Sequence, residues 1–182
     1  AAESHVDNSI YFPDRFISTN INGTYNLIRA SYEYWINLKT LKKKLFRFLH
    51  VSTDEVYGDL EKNMDLFNEN SRYNPSSPYS ATKASSDLLV KSWGRTFDFP
   101  YIISHSSNNY GPNQNREKLI PKIIINAFNN KPIPIYGNGK QERDWIFVQD
   151  NVEALYEILV KSKPMETYCI GGMNVVKNID LV

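Results

Sequence analysis

Two short apolar runs most constrain how this chain can fold. FRFLHVS (46–52), bounded by lysines on one side and polar residues on the other, reads as a strand buried on both faces. PYIISHSS (100–107) reads as a second strand. Around them, apolar residues recur at helical spacing. Phe16, Ile17, Ile21, Leu27, Ile28, Tyr34 and Trp35 define a helix over 14–35, entered by Pro13. Gly23 lies inside it, which predicts that another element packs close there.

A second helix is predicted over 78–96, with Ser77 as N-cap and Pro78 at the first helical position. A third covers 117–129, despite Pro121, and a fourth runs from a cap at Asp150 to about Lys161. PIPIYG and DWIFV read as strands flanking the turn GNGK, and TYCIGG as a closing strand. Helices alternating with strands predict an α/β fold with a doubly wound, largely parallel sheet. In such sheets ligands bind beyond the carboxyl ends of the strands, which directs attention to AAESHVD, STDEVYG and SNNYGP.

Composition excludes several classes of function. The formal net charge is +1, so no electrostatic case exists for a nucleic-acid or membrane-surface partner. The basic run KKK (42–44) reads as a solvated helix end. Cys169 is the single cysteine, so no intrachain disulfide or CxxC zinc pair can form, and a reducing, cytoplasmic location is the expectation. His5, His50 and His105 lie far apart in sequence and in no HExxH spacing, so no metal site is expected. No stretch reaches the ~20 apolar residues of a membrane span. The chain opens without methionine and ends on Asp180-Leu181-Val182, which suggests a segment of a longer protein.

Chemistry concentrates in two places. In SSPYSATKASSD, Tyr79 and Lys83 stand four residues apart, on one face of the predicted helix. A phenol is a poor base near neutrality, and a neighbouring ammonium favours its ionised form. A surface contact would give the same spacing. In STDE, Asp54 and Glu55 follow a buried strand directly; two adjacent carboxylates in a dry cleft repel, leaving one an acid and the other a base. That pairing suits elimination of water, although a capping role for either carboxylate is equally compatible with the string. SNNYGP offers amides for sugar hydroxyls or a carboxamide, or is simply a loop of turn-formers. Arg143 would suit a diphosphate.

Taken in order, AAESHVD, STDEVYGD, SSPYSATKASSD, SNNYGP, EKLIP, PIYG, RDW and CIGG resemble the dTDP-glucose 4,6-dehydratases, members of the extended short-chain dehydrogenase/reductase family. The resemblance runs from Ala1 to Val182. It implies a Rossmann-like, NAD-binding portion over 1–112 that carries the catalytic residues. Residues 113–182 would contribute to a smaller substrate-binding lobe and return to the sheet. The family's glycine-rich loop would precede Ala1, its C-terminal segment would follow Val182, and the 60–71 loop looks short.

The resemblance also implies roles. Tyr79 would be the base for oxidation at C4, with Lys83 lowering its pKa and holding the nicotinamide ribose. Thr53 would contact O4 of the sugar, Asp54 would protonate the leaving C6 hydroxyl, and Glu55 would take the C5 proton. Ala1, Ala2, Glu3, Ser4, Thr19 and Asn109 would line NAD, with Ser4 also near the sugar. Asn108, Lys118, Leu119, Pro134, Ile135, Tyr136, Arg143 and Asn178 would surround dTDP-glucose. The helices bearing Tyr25, Tyr32 and Trp93, taken as exposed, would pair two copies into a homodimer. The product would feed deoxysugars such as rhamnose for surface polysaccharides. A UDP-sugar dehydratase or 4-epimerase, or a non-catalytic sugar-nucleotide-binding module, are the alternatives.

Overall fold

The computed structural model describes residues 2–59, 66–135 and 137–182; Ala1, Tyr136 and the first part of the 60–71 loop lie outside them. The chain divides into two compact units, Ala1–His105 with Glu157–Cys169, and Ser106–Tyr156 with Ile170–Val182.

The first unit opens with α1 (Val6–Tyr11) and α2 (Pro13–Phe16), a π-helical turn (Ile17–Asn22) and α3 (Gly23–Ile36). The helical period over 14–35 is therefore real, but an inserted π-turn interrupts it. That insertion rotates Asn20 inward to 3% exposure and leaves Thr19 exposed. Gly23 does not mark a close approach: the nearest atom to a Cβ placed there is the Ser18 carbonyl oxygen at 3.9 Å. Helix α4 (Thr40–Leu45) ends in Lys42, Lys43 and Lys44, and Lys43 Nζ sits 4.4 Å from the centre of the Trp35 ring.

Strands β1 (Phe48–Thr53) and β2 (Tyr101–Ser106) are joined through α5 (Pro78–Phe97). Burial on both faces holds along the whole of β2, whereas Val51 of β1 is 46% exposed. Ile28, Val90, Phe99, Tyr101 and Ile103 form the core between α3, α5 and the sheet; each fully buried side chain of this size contributes roughly 1.5–3 kcal/mol. Tyr32 and Trp93 pack against this cluster instead of facing solvent, because the helix face that bears them meets Phe97 and Phe99. Helix α5 passes so near β2 that a Cβ on Gly94 would collide with the Tyr101 ring.

The second unit holds β3 (Asn108–Tyr110), α6 (Leu119–Phe128), β4 (Glu142–Phe147), β6 (Val175–Lys177) and α8 (Asn178–Leu181). Helix α7 (Val148–Lys161) and β5 (Glu166–Ile170) each run from one unit into the other along the chain. Sheet order is β1-β2-β5 in one sheet and β3-β4-β6 in the other. Strand β3 pairs parallel with β4 (Asn108 opposite Trp145), and β4 pairs antiparallel with β6 (Arg143 opposite Val176). The architecture is α/β, as the alternation predicts.

Two local expectations fail. Residues 131–135 form no strand, since Pro132 and Pro134 each remove a ladder donor, so GNGK closes no hairpin and β4 takes β3 and β6 as its partners. Asp150 lies within the first turn of α7, which begins at Val148, and is not its cap.

Candidate active site

The start of α5 is fixed by a reciprocal cap. Ser77 Oγ accepts from the Ser80 N–H at 3.1 Å, and the Ser77 N–H donates to Ser80 Oγ at 3.0 Å. With Pro78 setting the first helical φ, the cap fixes where Tyr79 and Lys83 enter the protein interior. Both are buried, at 8% and 6% exposure. Lys83 Nζ donates to the Val51 carbonyl of β1 at 2.8 Å, and burial lowers its pKa while Asp87 opposes that shift.

At the end of β1 the chain turns sharply into a 3-10 turn, Asp54–Tyr57. Thr53 is its cap: Thr53 Oγ1 accepts from the Glu55 N–H at 3.3 Å and lies 3.3 Å from Asp54 Oδ1. A capping role for either carboxylate is thereby taken over by the threonine. Gly58, at φ +83° and against the Asn74 carbonyl, ends the turn in a conformation that side chains disfavour.

These elements bring Thr53, Asp54, Glu55, Tyr79 and Lys83 together within one unit. Tyr79 hydrogen-bonds to Thr53 and feels both carboxylates. Its phenol is held above the ordinary tyrosine value, first by burial and then by Glu55, with Asp54 and Asp87 adding to the rise and only the Thr53 hydrogen bond opposing it. This is opposite to the direction expected from Lys83 alone. Two carboxylates and desolvation favour the neutral phenol, and the Lys83 ammonium is drawn instead to a backbone carbonyl.

Glu3 reaches the same helix through Asn20. The Glu3 N–H donates to Asn20 Oδ1 at 2.9 Å, and Asn20 Nδ2 donates to the Glu3 carbonyl and to Thr82 Oγ1, each at 3.0 Å. Ser86 Oγ then donates to the Asn20 carbonyl at 2.7 Å. Ser4 is half-buried in that segment and Ala2 is exposed. Asn20 was missed from sequence, since the π-turn that aims it has no local signature.

In the second unit, Asn108 and Asn109 lie on β3, with Asn109 Nδ2 donating to the Ser107 carbonyl at 3.0 Å. Asn109 borders a cavity of about 200 Å³ shared with Gly111 and Gln114. Arg143, exposed on β4, donates to the Glu142 carbonyl at 2.8 Å. Asn178, at the start of α8, is brought beside this strand: its N–H donates to the Gln141 carbonyl at 3.0 Å, and the next residue, Ile179, donates to the Gly139 carbonyl at 2.9 Å. Ile135 also packs near Gly139, and Pro134 is exposed. Lys118 precedes α6 and Leu119 begins it, both half-buried. Asp144 clamps the turn after β5, accepting from the Gly172 and Asn174 N–H groups at 2.7 Å each.

A buried polar cluster also escaped the sequence. His50 on β1 and His105 on β2, 55 residues apart in the chain, converge on Asp87 of α5. The signals existed: His50 interrupts an otherwise apolar strand run, His105 sits among serines in a strand buried along its whole length, and Asp87 stands four residues beyond Lys83 on the same helix face. No group of histidine, cysteine and acidic side chains among the described residues is arranged to hold a metal.

A model of the GDP-mannose 4,6 dehydratase family matches residues 1–182. A dTDP-glucose 4,6-dehydratase of Escherichia coli is 55% identical over 190 residues, covering 100% of this chain and 53% of the bacterial protein. Among solved structures, the dTDP-glucose 4,6-dehydratase DesIV of Streptomyces venezuelae, crystallised with NAD and TYD bound, superposes with a TM-score of 0.89 at 37% identity, over 100% of this chain and 53% of that one. The dTDP-glucose 4,6-dehydratase of Bacillus anthracis, in complex with NAD, gives 0.82 at 39% identity, over 98% and 51%. The chain thus spans about half the length of the curated relatives it matches.

Proposed function

The chain belongs to the GDP-mannose 4,6 dehydratase family, and from that membership we propose that the protein carrying it is an NAD-dependent lyase converting dTDP-glucose to dTDP-4-keto-6-deoxyglucose. The observation that carries this reading is the meeting of a threonine hydroxyl, a phenol and two adjacent carboxylates where β1 gives way to its 3-10 turn. Oxidation alone would need only the phenol; the carboxylate pair adds what loss of water requires. The similarity to dTDP-glucose 4,6-dehydratases supports the choice of nucleotide sugar.

The residues present fit NAD. An ammonium has three donors, and the Val51 carbonyl takes one of those on Lys83, leaving capacity for ribose hydroxyls. Asn109 Oδ1 is buried with no hydrogen-bond partner among the described residues, an acceptor suited to an amide N–H. Tyr79, Lys83 and Asn109 would hold the cofactor, with Ala1, Ala2, Glu3, Ser4 and Thr19 along it. The chemistry NAD supplies when bound is hydride acceptance at C4 and hydride return at C6.

The side chains move the protons. Tyr79 acts as a phenolate, the form that the positive charge of bound NAD and the Lys83 ammonium would favour against the shift of the free protein; assisted by Thr53 at O4, it takes the O4 proton as C4 becomes a ketone. The ketone acidifies C5–H, and Glu55 removes that proton. Asp54 protonates the C6 hydroxyl, which leaves as water while the C5–C6 double bond forms. Glu55 then returns its proton to C5, and the proton taken from O4 balances the one Asp54 gave up. Asn108, Lys118, Leu119, Pro134, Ile135, Tyr136, Arg143 and Asn178 are the proposed contacts for dTDP-glucose, Arg143 meeting the diphosphate.

The exposed apolar residues Leu27, Tyr34 and Leu88 on α3 and α5 support a homodimer through those helices. No helix among the described residues is long and apolar enough to cross a membrane, and with one cysteine the proposed location is the cytoplasm, upstream of deoxysugars such as rhamnose.

Incubating the intact protein with dTDP-glucose and with UDP-glucose tests the reading. Only the 4-keto-6-deoxy product develops absorbance in alkali, and it is expected from dTDP-glucose. An epimer as product, or product from UDP-glucose alone, would overturn the assignment.

A further inference from the structure

The chemistry above leaves the Asp87 cluster without a role. Asp87 lies on α5, one turn beyond Lys83 and two beyond Tyr79. Its Oδ2 accepts from Ser52 Oγ at 3.0 Å and lies 2.9 Å from His105 Nε2, and its Oδ1 lies 3.1 Å from His50 Nε2. On the far side of the same imidazole, His105 Nδ1 is 2.7 Å from Tyr57 Oη. Tyr57 is the last residue of the 3-10 turn that begins at Asp54, so its side chain anchors the turn that carries both carboxylates.

The direction of these bonds follows from the partners. An ionised carboxylate only accepts, so His105 carries its proton on Nε2, and Nδ1 is left to accept from the Tyr57 hydroxyl. One ordered chain, Tyr57 to His105 to Asp87, therefore links the turn, strand β2 and helix α5, and Ser52 extends it to β1, where His50 Nε2 also approaches the second carboxylate oxygen. Tyr57, Asp87 and His105 are all at 2% exposure or less. Apolar packing tolerates small slips between elements, whereas buried directional hydrogen bonds specify one arrangement.

We infer that Asp87, His105 and Tyr57 are positioning residues that lock the turn bearing Asp54 and Glu55 to the helix bearing Tyr79 and Lys83, and so govern the elimination step more than the oxidation that precedes it. The inference rests on the dehydratase reading and deepens it. Tyr79 and Lys83 are held by their own helix and its cap, while the carboxylate turn is anchored in the interior by Val56, packed in one cluster with Ala84 of α5, and by Tyr57, whose hydroxyl adds the directional bond.

The test uses the intact protein with NAD and dTDP-glucose, following reduced nicotinamide and final product separately in single turnovers. Tyr57→Phe removes one oxygen and keeps the ring stacked on Phe67 at 5.3 Å; His105→Gln is the second variant, because Asp87→Asn risks misfolding. Each is expected to slow product formation about 10- to 100-fold, the scale of a roughly 1 Å misplacement, with KM little changed and reduced nicotinamide accumulating. The double variant is expected to lose no more than the worse single one, since both break the same chain. Equal slowing of both steps, additive losses or unchanged rates would overturn the inference while the wild type remains active. A wild type that yields neither signal overturns the dehydratase reading and this inference with it.

Discussion

His105 Nε2 and Asp87 Oδ2 stand 2.9 Å apart, and both side chains are fully withdrawn from solvent. A buried pair of this kind gives little net stability over an apolar replacement, yet breaking it leaves an uncompensated charge. Asp87 has further partners in Ser52 and His50. Asp87→Ala is therefore expected to destabilise the fold by about 3–5 kcal/mol, because the His105 imidazole and the Ser52 hydroxyl lose their acceptor and His50 its neighbouring carboxylate together. Urea denaturation followed by circular dichroism measures this; a loss well under 1 kcal/mol would show that water or a neighbour replaces the carboxylate.

The same cluster sets a response to acid. Burial pushes the Asp87 carboxyl up, but the hydrogen bond with His105 and the attraction of both imidazoles, His50 at 3.1 Å included, outweigh it and hold it well below the usual carboxylate range. Lys83 and Lys91 on its own helix and the Tyr73 hydroxyl also face it. Burial lowers the His50 pKa, with Lys83 adding to the drop. For both groups the unfolded chain binds more protons, so stability falls as pH falls: from about 6.5 downward through His50, and from about 3.9 downward through Asp87. Thermal melts across pH 3–8 should show both windows, and His50→Gln should flatten the upper one alone.

Much of the architecture was legible because its signals are local. Ser77-Pro78 announces the start of α5, and the apolar runs announce β1 and β2. The paired carboxylates and the Tyr79–Lys83 spacing were legible for the same reason. What escaped depends on long-range geometry. The π-turn that rotates Asn20 inward follows from tertiary packing, and the meeting of His50, Asp87 and His105 requires three elements to be assembled first. The direction of the Tyr79 shift also escaped, since spacing shows the nearby cation but not the desolvation that outweighs it. Pro132 and Pro134 were readable warnings against a strand, overridden by an apolar alternation.

Two glycines in helical segments should respond in opposite ways. Gly23 has φ −60° and ψ −45°, and a Cβ there would make only an ordinary van der Waals contact with the Ser18 carbonyl oxygen at 3.9 Å, so Gly23→Ala is expected to stabilise by about 0.5–1 kcal/mol through reduced freedom of the unfolded chain. Gly94 faces the Tyr101 ring, so Gly94→Ala must displace that ring or the helix and is expected to cost about 1–3 kcal/mol. Paired melting curves decide it; changes of the same sign would mean that α5 shifts freely on β2.

The last prediction concerns the phenol itself. In the free protein, burial together with Glu55 and Asp54 holds Tyr79 above the usual tyrosine value. It should contribute no phenolate absorbance below about pH 10, which the difference between wild type and Tyr79→Phe would reveal. Glu55→Gln removes the larger of the two carboxylate contributions, so the titration of Tyr79 should move down toward the ordinary range. In turnover the two substitutions should part company. Tyr79→Phe should slow oxidation by about 10²–10⁴-fold, whereas Glu55→Gln, with an easier phenol and no base for C5, should oxidise C4 and then stall with reduced nicotinamide present. If Glu55→Gln raised the Tyr79 pKa, the carboxylate would be aiding ionisation of the phenol through a bridging donor, and the proposed division of labour between the two groups would have to be reversed.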